Sequence, residues 1–172
     1  MKQIFCVIFF SVFLLTGCAA EVAPQAPNEP NFLFCSAFSA DYGDFSFGGI
    51  WDSTAPGIYT VTLHYPDTLA GTVYSCNGEN VTISFENQVQ TIPLAAIPEQ
   101  GALRILFGVF KGCSVQPVFD KPTRSGEYWS FTGTGSNSGL VLQTDSLGTI
   151  REITLDYKNL TIRFLEDESE SE

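Results

Sequence analysis

Tyr59-Thr60-Val61-Thr62-Leu63-His64 sets three large apolar side chains against three polar ones in strict alternation. Successive side chains of an extended chain point to opposite faces, so a period of two predicts a strand with one buried and one wet face. Thr54-Ala55-Pro56-Gly57 turns into this strand and Pro66-Asp67 ends it. Towards the N-terminus, Asp44 to Trp51 repeats the pattern, with Phe45 and Phe47 on one face and Gly48-Gly49 marking a bend or bulge. Asp41-Tyr42-Gly43-Asp44 turns back into a first strand that starts after Asn31 and carries Phe32, Phe34, Cys35 and Phe38. In the other direction, Val73-Tyr74 opens a fourth strand and Cys76-Asn77-Gly78 a hairpin. Val81, Ile83 and Phe85 mark a fifth strand, and Val89 to Ile92 a sixth.

The period then changes. From Pro98 to Lys111, Leu103, Leu106, Phe107 and Phe110 recur at three and four residues, which predicts a helix with one apolar face. Pro98 and Glu99 suit its first turn, and Lys111 with Gly112 its end. Cys113 to Arg124, with Pro117 and Pro122, reads as irregular. Sheet resumes at Gly126, where Trp129 and Phe131 alternate with polar neighbours. A glycine-rich turn (Gly133 to Gly139) leads to strands at Leu140 to Thr144, Thr149 to Tyr157 and Leu160 to Leu165. The expected fold is mainly β. It is a curved antiparallel sheet, or incomplete barrel, of about ten strands with one helix packed in its concavity.

The N-terminus is of another kind. Lys2 precedes an apolar run from Ile4 to Leu15, which is too short for the roughly 20 residues that span a bilayer and suits a signal peptide. The run ends in Leu15-Thr16-Gly17-Cys18, which resembles the bacterial lipoprotein box. That resemblance implies a diacylglyceryl group on Cys18 and removal of residues 1–17. Two acyl chains anchor a protein stably without spanning the membrane. Residues 18–30 would be the lipidated cysteine and a linker stiffened by Pro24, Pro27 and Pro30. Residues 31–165 would be the β domain. Glu166 to Glu172, with five acids, has nothing apolar to bury and is expected to be a disordered tail. The implied location is the cell envelope. In a Gram-positive cell this is the outer face of the cytoplasmic membrane. In a Gram-negative cell it is the outer membrane, because Ala19 is not the aspartate of the inner-membrane retention signal.

The whole chain has 8 basic and 19 acidic side chains and a net charge of −11. Such a surface argues against nucleic acid as a partner and against resting flat on anionic lipid. Of five cysteines, Cys35, Cys76 and Cys113 remain in the domain, either with two of them paired in any of three ways or all as thiols. No cysteine and histidine spacing suits zinc, and no metal or cofactor is expected. His64, the lone histidine, falls on the polar side of its strand. There is no Gly-x-Ser-x-Gly elbow, and Asp41, Asp44 and Asp52 fit no calcium loop. No catalytic residue is assigned, and the chain is not expected to be an enzyme.

Short stretches through the domain resemble the LolA/LolB lipoprotein-carrier fold, and still more the small clostridial-type lipoproteins built on it, germination lipoproteins among them. They are Pro66-Asp67-Thr68-Leu69-Ala70-Gly71, Asn77-Gly78-Glu79-Asn80-Val81, Ile92-Pro93 with Ile97-Pro98, and Asp145-Ser146-Leu147-Gly148-Thr149-Ile150 with Ile153. The resemblance implies a half-barrel around an apolar cavity. Its lining would include Phe45, Phe47, Tyr59, Val61, Leu106, Phe107, Trp129 and Phe131, and its ligand would be an apolar, lipid-like molecule. The chain departs from that pattern in lacking an N-terminal helix, so the lid would be Pro98 to Arg124. The alternative is a filled core and an envelope protein as partner, as for a spore-germination-type accessory protein.

Overall fold

The computed structural model describes residues 26–115, 119–134 and 138–165, with backbone alone at 112–115. The expected signal peptide, Cys18, the acidic tail, most of the linker and the tip of the glycine-rich turn lie outside these residues, as does the Cys113 side chain. Six strands come first: β1 (Cys35–Tyr42), β2 (Phe45–Ala55), β3 (Ile58–Tyr65), β4 (Val73–Cys76), β5 (Asn80–Phe85) and β6 (Gln88–Pro93). Helix α1 (Ala102–Val115) follows, then β7 (Thr123–Ser125), β8 (Tyr128–Thr132), β9 (Leu140–Thr144), β10 (Ile150–Leu155) and β11 (Leu160–Phe164). All eleven form one curved, unclosed antiparallel sheet in the order β6-β5-β4-β3-β2-β1-β11-β10-β9-β8-β7. Two meanders are thus zipped together where β1 meets β11, and β6 and β7 are left as the two edges.

Register puts the apolar residues on one face. Trp51 lies opposite Val61, Val61 opposite Tyr74, and Tyr59 opposite Cys76. Phe38 lies opposite Phe164, Ile153 opposite both Ile162 and Leu142, and Phe131 opposite Leu142. The helix buries its apolar stripe on that concave face. The Phe110 ring stacks on Trp51 with centroids 4.0 Å apart, and Phe107 lies parallel to Tyr59 at 6.3 Å. Leu106, Phe107 and Phe110 are fully buried. Each such side chain contributes roughly 1.5–3 kcal/mol of transfer free energy, which is what holds a single helix against the sheet.

Sheet curvature is built in at Gly48-Gly49, where the β2–β3 register shifts. A Cβ on Gly49 would fall on the Thr62 carbonyl oxygen, and one on Gly48 would lie 2.5 Å from the Phe38 oxygen. Only glycine lets the backbones approach this closely.

Three details depart from the sequence reading, and a fourth narrows a choice it left open. The first strand starts at Cys35, because Asn31 is drawn off into an isolated parallel bridge with Thr149. The helix is shifted to Ala102–Val115, because Pro98 to Gly101 closes its own turn (Gly101 N–H to the Pro98 oxygen, 2.9 Å) and Gly112 does not stop the helix. A mid-helix glycine costs only about 1 kcal/mol. Thr123 and Arg124, expected as irregular, belong with Ser125 to β7, which forms by pairing with β8. Cys76 is a buried thiol whose Sγ accepts the Gly78 N–H at 3.4 Å, so neither pairing that uses it forms.

The two ends of the half-barrel differ. One holds both termini of the described domain: Asn31 N–H bonds Gly148 O at 2.8 Å and Leu165 N–H bonds Ala37 O at 2.9 Å. There Asp145 organises the β9–β10 turn. Its carboxylate accepts the Leu147 and Thr149 N–H groups, each at 2.9 Å, and Arg151 Nη2 at 3.0 Å. Gly148 (φ +87) is pressed under the Glu29 carbonyl, so residues 28–31 are clamped to this turn. The opposite end carries the β1–β2, β3–β4 and β5–β6 connections and the start of α1.

Candidate functional site: an apolar pocket where the helix begins

The helix covers only part of the concave face. Where it begins, the sheet runs on past it, and the gap is walled by two connections. In the first, between β3 and β4, Leu69 N–H bonds the Pro66 oxygen at 2.8 Å and Thr72 N–H bonds the Leu69 oxygen at 3.0 Å. This folds residues 66–72 into a tight loop with Leu69 turned inward. The second runs from edge strand β6 back over the concave face. A single 3-10 turn at Leu94–Ala96 is fixed by Leu94 N–H to Glu79 O at 2.7 Å and by Arg104 Nη1 to Leu94 O. Tyr42 Oη then donates to Gln100 O at 2.6 Å, tying the helix start to the β1–β2 corner.

Between these walls lies a pocket of about 190 Å³ lined by Phe45, Phe47, Leu63, Leu69, Tyr74, Ile97, Gly101, Ala102 and Leu103. Phe45 and Phe47 stack at 5.7 Å and form its floor on β2. No lining residue is a carboxylic acid, amine, imidazole or thiol. Burial raises the Tyr74 phenol above its ordinary value, as a low-dielectric wall requires of a group that would become charged. Chemically the lining is neutral and almost wholly apolar, and no acid–base or nucleophilic pair stands in it.

The eight residues expected to line one cavity do not gather. Phe45, 43% exposed, and Phe47, buried, line the pocket. Tyr59, Val61, Leu106 and Phe107 are fully buried where the helix meets the sheet, with the Phe107 ring parallel to Tyr59 and tilted against Trp51. Phe131 packs on Phe119 at 5.9 Å near the far edge, and Trp129 is half-buried beside it on β8. Sequence reasoning missed Leu69 and Ile97, which sit in connections where no period marks them, and Leu63, Tyr74 and Leu103, which read as ordinary core positions.

The remaining candidates are structural. His64 is exposed. Asp41 accepts the Ser46 hydroxyl at 2.8 Å and Arg163 Nη1 at 3.0 Å, and these donors hold its carboxyl below the usual range. Among the described residues, no three or more His, Cys, Asp or Glu side chains converge to hold a metal ion, and no helix is long and apolar enough to cross a membrane. A second groove of about 280 Å³ on the other flank of the helix mixes Glu99, Arg104 and Lys158 with Leu140 and Leu155.

A mainly β half-barrel with one helix in its concavity and an apolar pocket beside that helix is therefore the class that fold and site define. No family model matches the sequence, and no curated protein matches it. Among solved structures, an uncharacterised conserved protein from Thermus thermophilus is similar over 77% of this chain and 75% of its own, at 11% identity and TM-score 0.49. A LolA superfamily protein, NE2245 from Nitrosomonas europaea, is similar over 73% of this chain and 64% of its own, at 12% identity and TM-score 0.31.

Proposed function

We propose that this chain is a non-catalytic, membrane-anchored extracytoplasmic lipoprotein whose LolA/LolB-like half-barrel takes an apolar, lipid-like ligand at the start of α1. The observation that carries the reading is the pocket lining. Nine residues without a charge surround about 190 Å³ of space between sheet, helix and two hydrogen-bonded connections. Apolar lining with few polar groups is the general form of a small-molecule site. The anchor would be Cys18, with residues 1–17 removed. Cys18→Ser should release the protein from membranes, and unchanged membrane fractionation would sink the anchor.

Native mass spectrometry of the full chain, purified gently from its own host, tests the ligand. A bound mass of lipid size supports the pocket reading. An empty protein that also takes up no alkyl probe would favour the second reading, a lipoprotein that partners another envelope protein. The tightly filled core under the helix, with Phe110 on Trp51 at 4.0 Å, is what speaks for that alternative.

A further inference from the structure

The open sheet has two edges, and they are defended to different degrees. Edge β7 is three residues long, carries Arg124, and follows Lys121-Pro122. Short length, charge and proline are the usual defences of a free edge. Edge β6 has six residues, and no side chain from Asn87 to Ile97 is ionisable, in a chain of net charge −11. Val89 there is 70% exposed, and Phe85, on the neighbouring strand, is 42% exposed.

The hydrogen-bond phase of β6 follows from its partner. In an antiparallel ladder every second residue exchanges both main-chain bonds with its neighbour. Leu94 N–H bonds Glu79 O at 2.7 Å, and Phe85 pairs with Gln88 across a two-residue turn with Glu86 at φ 52. Gln88, Gln90 and Ile92 therefore point their main-chain groups at β5. Val89 and Thr91 point theirs outward, and Pro93 adds a carbonyl.

We propose that β6 pairs antiparallel with β6 of a second copy, about a twofold axis at Gln90. In that register Val89 faces Thr91 of the second copy on both sides of the axis. Four N–H to C=O bonds then close, each N–H of one strand finding an outward carbonyl of the other. Pro93, which lacks an N–H, falls opposite Asn87 of the second copy, outside the four bonded positions. No like charges are brought together, which a strongly acidic protein requires of any contact between copies. One added strand buries less than the about 800 Å² per partner of a standard interface, so the dimer is weak and concentration-dependent. This pairing does not depend on the apolar pocket.

The test uses the full-length chain in detergent. Sedimentation equilibrium should show a dimer fraction that rises with concentration. Gln90→Cys should give a disulfide-linked dimer on mild oxidation, mapped by peptide mass spectrometry to position 90 in both copies, while Leu147→Cys at the opposite end should not. Val89→Lys, at a position exposed enough to leave folding intact, should weaken association at least about tenfold, as a charged gatekeeper on an edge does. A monomer at every concentration would overturn the proposal. So would a dimer that is indifferent to Val89→Lys and not cross-linked through position 90.

Discussion

Partly filling the pocket should weaken uptake of hydrocarbon while leaving the fold alone. At about 30 Å³ for a water-sized group, 190 Å³ admits about six such groups. Six methylenes at roughly 0.8 kcal/mol each set an upper bound of about 5 kcal/mol of gross transfer free energy, because the pocket is open to solvent on one side. Association costs reduce this, so a short alkyl probe should bind weakly, and a longer chain gains only where its tail still touches the walls. Leu103→Trp places an indole into this space from the first turn of α1. If the ring takes the room of two methylenes, it removes about 1.6 kcal/mol, at least about tenfold in affinity. The assay is displacement of an environment-sensitive fluorescent fatty-acyl probe, with thermal unfolding measured in parallel. Leu147→Trp is the control, since Leu147 is 73% exposed at the opposite end and touches no part of the pocket. Unchanged probe affinity in a folded Leu103→Trp protein would refute the assignment of the pocket as the binding site.

Other expectations follow from polar groups and close contacts. Ser53, on β2 opposite Tyr59, is buried with no partner for its hydroxyl among the described residues, so Ser53→Ala should raise stability by about 1 kcal/mol in urea titration. A loss of stability would mean that the hydroxyl is satisfied in solution. Gly49→Ala drives a Cβ into the Thr62 carbonyl and should cost about 2–4 kcal/mol, read as a lowered urea midpoint; a neutral result would disprove the tight β2–β3 approach. Asp145 gives a pH dependence. Burial alone would raise its carboxyl, but the Thr149 N–H, Arg151, the Thr149 hydroxyl and the Leu147 N–H together hold it below the ordinary 3.8. The native state then binds fewer protons than the unfolded chain. Its stabilisation is complete above that ordinary value and is lost as pH falls through the lower native one. Asp145→Asn should cost about 1–2 kcal/mol at neutral pH and flatten the acid limb of the stability profile. An unchanged acid limb would count against the carboxylate as the organiser of the β9–β10 turn.

The parts of the fold visible in the sequence are those with one buried and one wet face. Tyr59, Val61 and Leu63 alternate because β3 lies mid-sheet with the helix on one side, and the same holds for Leu140 and Leu142 on β9. β7 shows no alternation because both of its faces are exposed, and only pairing with β8 makes it a strand. The helix stripe was legible, but its first turn was not. Pro98 looks like a first helical residue, yet it belongs to a separate turn that brings Ile97 over the sheet. Phe45 and Phe47 are indistinguishable by period. They differ in environment because the helix ends its cover between them, and that boundary is a fact of where α1 starts in space. The pocket was half visible for the same reason. Its sheet floor follows from alternation, whereas its walls come from loops whose main-chain hydrogen bonds leave no periodic trace.

The clamp on residues 28–31 fixes more than a turn. It sets where the chain leaves the domain, and that point is at the opposite end from the pocket mouth. Between Cys18 and Pro27 a fully stretched chain reaches at most about 35 Å, more than the roughly 26 Å height of an eight-residue strand such as β3. A domain held by lipid at Cys18 would therefore be moored at the end away from the pocket mouth, on a tether long enough to let that mouth turn outward or back to the leaflet that holds it.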